Sequence, residues 1–179
     1  LAIILLVAAF LRFQHLDGPI GGYHAMNEAY YITVAHNFNH VSFLRPTGFK
    51  SEQDIKIRAL YVYTVYAAFK VFGESPATAR AVSAFSGLAA VLIIFAIAFV
   101  YGGPRAGIAA AALLAVSPIH VTLSRNAQPD AMCSALSLLC ILLYIISERK
   151  PEDAKQVVLA GLVWGAAVFT KNFALLLLP

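Results

Sequence analysis

Asn27 and Glu28 sit side by side in a polar, glycine-led stretch, Gly21-Gly22-Tyr23-His24-Ala25-Met26-Asn27-Glu28-Ala29-Tyr30-Tyr31. Asp130 closes a second polar turn, Ser124-Arg125-Asn126-Ala127-Gln128-Pro129-Asp130. Carboxylates so placed can accept a proton or oppose developing positive charge, and cations beside them can hold an anionic leaving group. The cations on offer are Arg125 beside Asp130, Lys56 and Arg58 in the charged run 50–58, and Lys171. Each group also has a plain structural reading. Asn27 is a good helix N-cap, and Glu28 then falls in the first turn, where the helix dipole favours negative charge. Asp130 follows Pro129 and can cap the next helix in the same way, while Lys56 and Arg58 read equally well as a solvated charge run. Polar groups gathered on one face of an otherwise apolar chain are costly and usually functional, which favours chemistry for the set as a whole.

The elements that must hold these groups are membrane helices. The chain has 179 residues, of which 60% are hydrophobic and only 12% charged. Its mean hydropathy is +0.77. Soluble domains carry about 25% charged residues, so this composition belongs to a membrane protein. The net charge of +4 is scattered over short loops with no basic stripe, which gives a nucleic-acid partner little support. Cys133 and Cys140 lie seven apart in an apolar run, about 10 Å along a helix, too far to bridge.

Both ends fall inside apolar runs, and the chain is expected to be the N-terminal part of a longer protein. The expected spans are about 1–13, 77–100, 107–123 (bent at Pro118), 131–147 and 156–172. Residues 14–76 form a long outer loop. Within it, Tyr31, Val34, Ala35 and Phe38 fall at helical spacing, which predicts an amphipathic surface helix over 28–40. Residues 59–72 are apolar but too short to cross, and their aromatics (Tyr61, Tyr63, Tyr66, Phe69, Phe72) suit a helix at the membrane boundary. Arg80 is expected to act as an anchor, snorkelling to the headgroups. Gly103/Gly107 and Gly161/Gly165 have the spacing that permits close helix packing.

Lysine and arginine counts set the orientation. Arg105, Arg149, Lys150 and Lys155 occupy the loops at 101–105 and 148–155, against Arg125 alone at 124–130. Positive-inside then puts the first two loops in the cytoplasm, so that Glu28 and Asp130 share the outer or lumenal face. This describes a multi-pass integral membrane protein of a plasma or endoplasmic-reticulum-type membrane, an all-α polytopic bundle with interfacial helices in its first outer loop.

In order along the chain come Asn27-Glu28-Ala29-x-Tyr31, Phe72-Gly73, Ala79-Arg80-Ala81-Val82-Ser83-Ala84 with Gly87, Ser124-Arg125-x-Ala127-x-Pro129-Asp130, and Gly161-x-x-x-Gly165 with Thr170-Lys171. This series resembles the N-terminal half of the GT-C glycosyltransferases of the protein-mannosyltransferase and aminoarabinose-transferase branch. The resemblance implies an inverting membrane transferase that takes a sugar from a polyprenyl-phosphate-linked donor. Its acceptor would be a protein, a lipid or a glycan. It also implies that Glu28, Asp130 and the Asn27 position are catalytic, with Lys56, Arg58, Arg125, Lys171, His24 and Tyr31 about the substrate. Here the chain departs from its relatives, which carry an aspartate where it has Asn27. A carboxamide is too weak a base to take a proton from a hydroxyl. Three explanations stand: Glu28, His24 or Asp130 serves as base; the acceptor is already ionised; or the protein is a catalytically silent, lipid-binding relative. A transporter is disfavoured, because its charges should lie at mid-bilayer. The pairs His24/Glu28 and His36/His40 have metal-ligand spacing but read better without a metal. A divalent cation held through acidic residues, as in some relatives, is weakened by Asn27.

Overall fold

The computed structural model describes residues 1–22, 24–38, 59–149 and 154–177, and every regular element among them is helical. In chain order these are α1 (Ala2–Phe13), α2 (Ala25–Asn37), α3 (Ala59–Phe72), α4 (Pro76–Val116), α5 (Pro118–Arg125), α6 (Asp130–Glu148) and α7 (Ala154–Thr170). A short 3-10 helix, Asn172–Leu177, follows. Both α4 and α6 are long and apolar enough to cross a bilayer, yet only 28% of the most apolar window of each is buried. Leu92, Phe99, Leu113 and Tyr144 point outward. A soluble core helix would hide such side chains, so the outer surface is built for lipid. The molecule is a polytopic membrane helix bundle.

The 41 residues of α4 would make a rod about 60 Å long if straight, twice the bilayer core. Gly103 breaks it, at φ 71° and ψ −168°, and Pro104 opens the second limb where a missing N–H is harmless. The limbs fold back on each other. A Cβ on Gly107 would lie 2.9 Å from the Phe95 ring and 3.0 Å from its carbonyl oxygen, although twelve residues of straight helix span about 18 Å. The close packing expected of Gly107 is therefore present. Gly161 and Gly165 face open space, so their spacing builds no contact among the described residues.

The second limb does not run to 123 with a bend, as the sequence suggested. It ends at Val116, and Pro118 starts the separate helix α5. The residue before a proline is pushed out of the helical region, and Ser117 accordingly sits at φ −59°, ψ 116°. Pro118 also has no N–H to give back to the Leu114 carbonyl. Arg12 supplies the missing donors. Its guanidinium reaches the carbonyls of Leu114 (3.1 Å), Ala115 (3.0 Å) and Ala8 (3.1 Å), and Nδ1 of His120 (2.9 Å), while being fully buried. Arg12→Met should therefore take the donor from the Ala115 carbonyl and from Nδ1 of His120, at about 1–3 kcal/mol each, while the Leu114 carbonyl keeps the Ser117 N–H (3.4 Å). A fall in the melting temperature of the detergent-solubilised protein is the expected reading, and an unchanged melt would refute the bracket.

Gly87 lets this bracket close. A Cβ there would come within 2.7 Å of the Ser124 Cβ and 3.1 Å of Arg12 Nε. Gly87→Ala should cost about 1–3 kcal/mol through overpacking. Adding Ser124→Gly should recover part of that loss in the same melting assay, and no recovery would mean that the clash lies elsewhere.

Bundle ends are set by side chain–backbone bonds. Arg149 donates to the Val100 carbonyl (2.9 Å), so the start of the 149–153 connection lies beside the Gly103 break. The opposite end gathers the 14–22 connection, the start of α4, the 124–130 turn and the end of α7. Here the sequence reading of α2 needs correcting. The helix begins at Ala25, with His24 and not Asn27 at the N-cap position, and it ends at Asn37. Gly22, at φ +83°, turns the chain early enough for its carbonyl to accept from Ala25 N–H (3.2 Å). Asn27 and Glu28 thus both occupy the first turn. In α3, Tyr61 is fully buried, packed with Val34, Ala35, Val62, Val65 and Phe69 between α2 and α4.

Candidate functional site

Glu28 is 2% exposed, and burying a carboxylate there is tolerable only because it is paired and hydrogen-bonded. Arg80 meets it fork to fork, Nε to Oε1 at 2.7 Å and the second nitrogen to Oε2 at 2.9 Å. Oε1 also accepts the Ala127 N–H at 2.9 Å. The remaining Arg80 donors go to the carbonyls of Leu16 (2.8 Å), Gly18 (2.5 Å) and Pro19 (3.3 Å). A guanidinium has five N–H groups, and all five are used. The snorkelling anchor expected from the sequence is a buried bracket instead. Through Glu28 it ties the first turn of α2 and the connection after α1 to the turn that carries Asp130.

A second network runs beside it. Ser83 donates to the Gln128 carbonyl (3.0 Å) and accepts from the Gln128 N–H (3.3 Å) and the Tyr61 hydroxyl (2.9 Å). Burial is the main reason that the Tyr61 hydroxyl titrates well above its ordinary value, with Glu28 and Asp130 adding to the rise. It stays protonated and can donate. Neither Tyr61 nor Ser83 stood out in the sequence as anything but an interfacial aromatic and a small helix residue.

Asp130 begins α6 and meets Lys171 at the end of α7, Oδ1 to Nζ 2.5 Å. Its second oxygen makes no hydrogen bond among the described residues. This pair is partly open, with side chains 25% and 21% exposed. Asn27 is exposed, one residue from the buried Glu28, and its carboxamide has no partner among the described residues. Tyr31 stacks edge-on against Tyr61 at 5.6 Å between ring centroids, which makes it part of the packing beneath the site. His24 borders an apolar groove with Pro118, Ile119 and Leu123. Lys56, Arg58 and His40 lie outside the described residues.

Arg125 lines a cavity of about 220 Å³ with His15, Arg80, Thr122 and Asn126. Because Arg80 is saturated by its own partners, Arg125 is the cation in that wall with donors to spare. Among the described residues the acidic groups do not fit a divalent cation. Glu28 is committed to Arg80 and Ala127, Asp130 is engaged by Lys171, and Asn27 is an amide. No cluster of three His, Cys, Asp or Glu exists among the described residues. His36 is engaged by Glu74 at 2.6 Å.

Two solved structures share this architecture. ArnT from Cupriavidus metallidurans bound to undecaprenyl phosphate matches 95% of this chain at TM-score 0.76 and 18% identity. The same protein in its apo state matches 95% at TM-score 0.74 and 16% identity. The chain spans 31% of the length of either. At such identities the likeness establishes a common fold, that of the GT-C membrane proteins. No curated protein sequence matches. The family model described as dolichyl-phosphate-mannose-protein mannosyltransferase matches residues 59–179, about two thirds of the chain. With that match over α3 to α7, the chain belongs to the dolichyl-phosphate-mannose-protein mannosyltransferase family.

Proposed function

We propose that this chain forms part of an integral-membrane glycosyltransferase that moves a sugar from a polyprenyl-phosphate-linked donor to an acceptor on the outer or lumenal face. Family membership and the fold shared with a structure that holds undecaprenyl phosphate support this reading. The observation that carries it is the Glu28–Arg80–Ala127 bracket. It joins the first outer helix to the Asp130 turn at one end of the bundle, beside a cavity faced by an uncommitted arginine.

In the reaction the acceptor oxygen attacks the anomeric carbon as the bond from that carbon to the lipid phosphate breaks, with inversion. Negative charge grows on the departing phosphate, and the cations of Arg125 and Lys171, with Lys56 and Arg58, offset it. The sugar passes through an oxocarbenium-like state, as in glycoside hydrolysis, and the free oxygen of Asp130 opposes that charge. Glu28 is a positioning residue, since both of its oxygens are occupied.

A hydroxyl acceptor needs a base, and of the candidates His24 borders the apolar groove of Pro118, Ile119 and Leu123. Asn27 is an amide, Glu28 is locked, and Asp130 is paired with a lysine. The arrangement suits an acceptor that arrives ionised, such as a phosphate. The test is transfer from a polyprenyl-phosphate sugar to matched phosphate-bearing and hydroxyl acceptors. Wild type should use the first, and Asn27→Asp should raise transfer to the second at least tenfold, the low end of what general-base catalysis adds with a margin. No transfer by either version, with lipid binding retained, would instead support a catalytically silent relative, the reading that the carboxamide of Asn27 favours.

A further inference from the structure

We infer that Phe173 is a positioning residue for the transfer step, its ring steadying the Lys171 ammonium beside Asp130. The inference rests on the transferase reading, in which Lys171 is one of the cations that meet the departing phosphate. Nothing in the sequence marks Phe173, which stands in an apolar tail followed by Ala174 and a run of leucines.

Lys171 has a long, rotamer-rich stem, and one contact does not fix where its charge sits. Among the described residues its Nζ makes a hydrogen bond to Asp130 Oδ1 (2.5 Å) and lies over the Phe173 ring, 5.2 Å from the centroid. That is within the range at which a ring face attracts a cation. The two anchors differ in what they leave behind. An ammonium has three N–H groups, and Asp130 takes one of them. A second carboxylate would neutralise the charge. A neutral ring holds the ammonium and leaves it able to offset the charge growing on a phosphate.

The ring is placed by the turn that follows α7. The Lys171 carbonyl accepts from the Ala174 N–H (3.0 Å) and from the Cys133 thiol (3.9 Å), while the Ala174 carbonyl accepts from the Trp164 indole N–H (3.0 Å). Ala174 is buried against Cys133 and Ala167. Phe173, next to it, is 66% exposed, so packing within the bundle does not account for its place. Exposed apolar side chains are ordinary on a lipid-facing surface; what singles this one out is the cation over its face.

The intact protein in detergent would be assayed with dolichyl-phosphate mannose and undecaprenyl-phosphate aminoarabinose as donors, against phosphate-bearing and hydroxyl acceptors. Phe173→Leu should lower kcat about two- to fivefold, the worth of a partly exposed cation–π contact. The donor KM should hold, because the phosphate charge grows only as the bond breaks, and so should the melting temperature, because the ring is exposed. Phe173→Tyr keeps a ring and should retain the wild-type kcat. In a Lys171→Met background Phe173→Leu should have no further effect, since the cation it steadies is gone. With isotopically methylated lysines, the Lys171 resonance, assigned by its loss in Lys171→Arg, should move downfield in Phe173→Leu and stay in place in Phe173→Tyr, following the ring current. A wild-type kcat or an unmoved resonance in Phe173→Leu, an equal loss in Phe173→Tyr, or a loss that persists without Lys171 would overturn the inference and leave the transferase reading standing. No transfer by the wild type would overturn both, whatever the spectrum shows.

Discussion

Arg80→Met should destabilise the protein by about 3–5 kcal/mol, the usual cost of removing one partner from a buried ion pair. The loss is large because Glu28, 2% exposed, is left as an uncompensated charge between helices. Three carbonyls of the 16–19 connection lose their donor in the same step. Glu28→Gln keeps an acceptor for the Ala127 N–H and one for Arg80 but removes the charge, so its loss of stability should be smaller. Its transfer activity should still fall well over tenfold, because the bracket that aligns the Asp130 turn is loosened. The diagnostic variant is the double one. Arg80→Met with Glu28→Leu leaves no unpaired charge and should recover a large part of the single-mutant loss in a double-mutant cycle. Melting of the detergent-solubilised protein supplies the numbers. Strict additivity of the two single changes would mean that the pair does not act as a unit.

Asp130→Asn should lower sugar transfer by well over tenfold while leaving the melting temperature within a few degrees of wild type. The contrast with Arg80 follows from exposure. Asp130 and Lys171 are 25% and 21% exposed, so water compensates either partner, and an asparagine can still accept from Lys171. What the amide cannot supply is negative charge opposite a developing oxocarbenium. The same drop is expected for phosphate and hydroxyl acceptors, since the role proposed for Asp130 is electrostatic. A wild-type rate in Asp130→Asn would remove it from the site. A drop confined to hydroxyl acceptors would make it the base and displace the ionised-acceptor reading.

Helical class, the membrane setting, the non-spanning length of 59–72 and the grouping of Asn27, Glu28 and Asp130 could be read from residue order. Hydrophobic periodicity and run length act locally, and burial in lipid leaves few alternatives to helix. The helix start at Ala25 was missed, because the Gly22 turn brings its carbonyl back to Ala25 N–H and competes with the Asn27 cap. The end of the second limb at Val116 was legible in principle, since Ser117-Pro118 carries the restriction on the residue before proline. The Ser75 cap was legible too: its hydroxyl accepts from Thr78 N–H at 3.1 Å just before Pro76, a familiar helix-start pattern.

Partner choice was not legible. Glu28 has Arg80 fifty-two residues away and Ala127 ninety-nine away; Arg12 reaches carbonyls more than a hundred residues on. Composition carried only a hint, since with 12% charged residues each arginine and glutamate in an apolar stretch must find a partner. Which partner it finds depends on how helices cross and which faces meet, and that is long-range packing, not local pattern. By itself, then, the amino-acid order determined that this is a bundle of membrane helices with Glu28, Asp130 and several cations gathered toward one end. Only the tertiary structure decided that Glu28 is locked and Asp130 half-free, because whether a carboxylate can act depends on which donors folding brings against it.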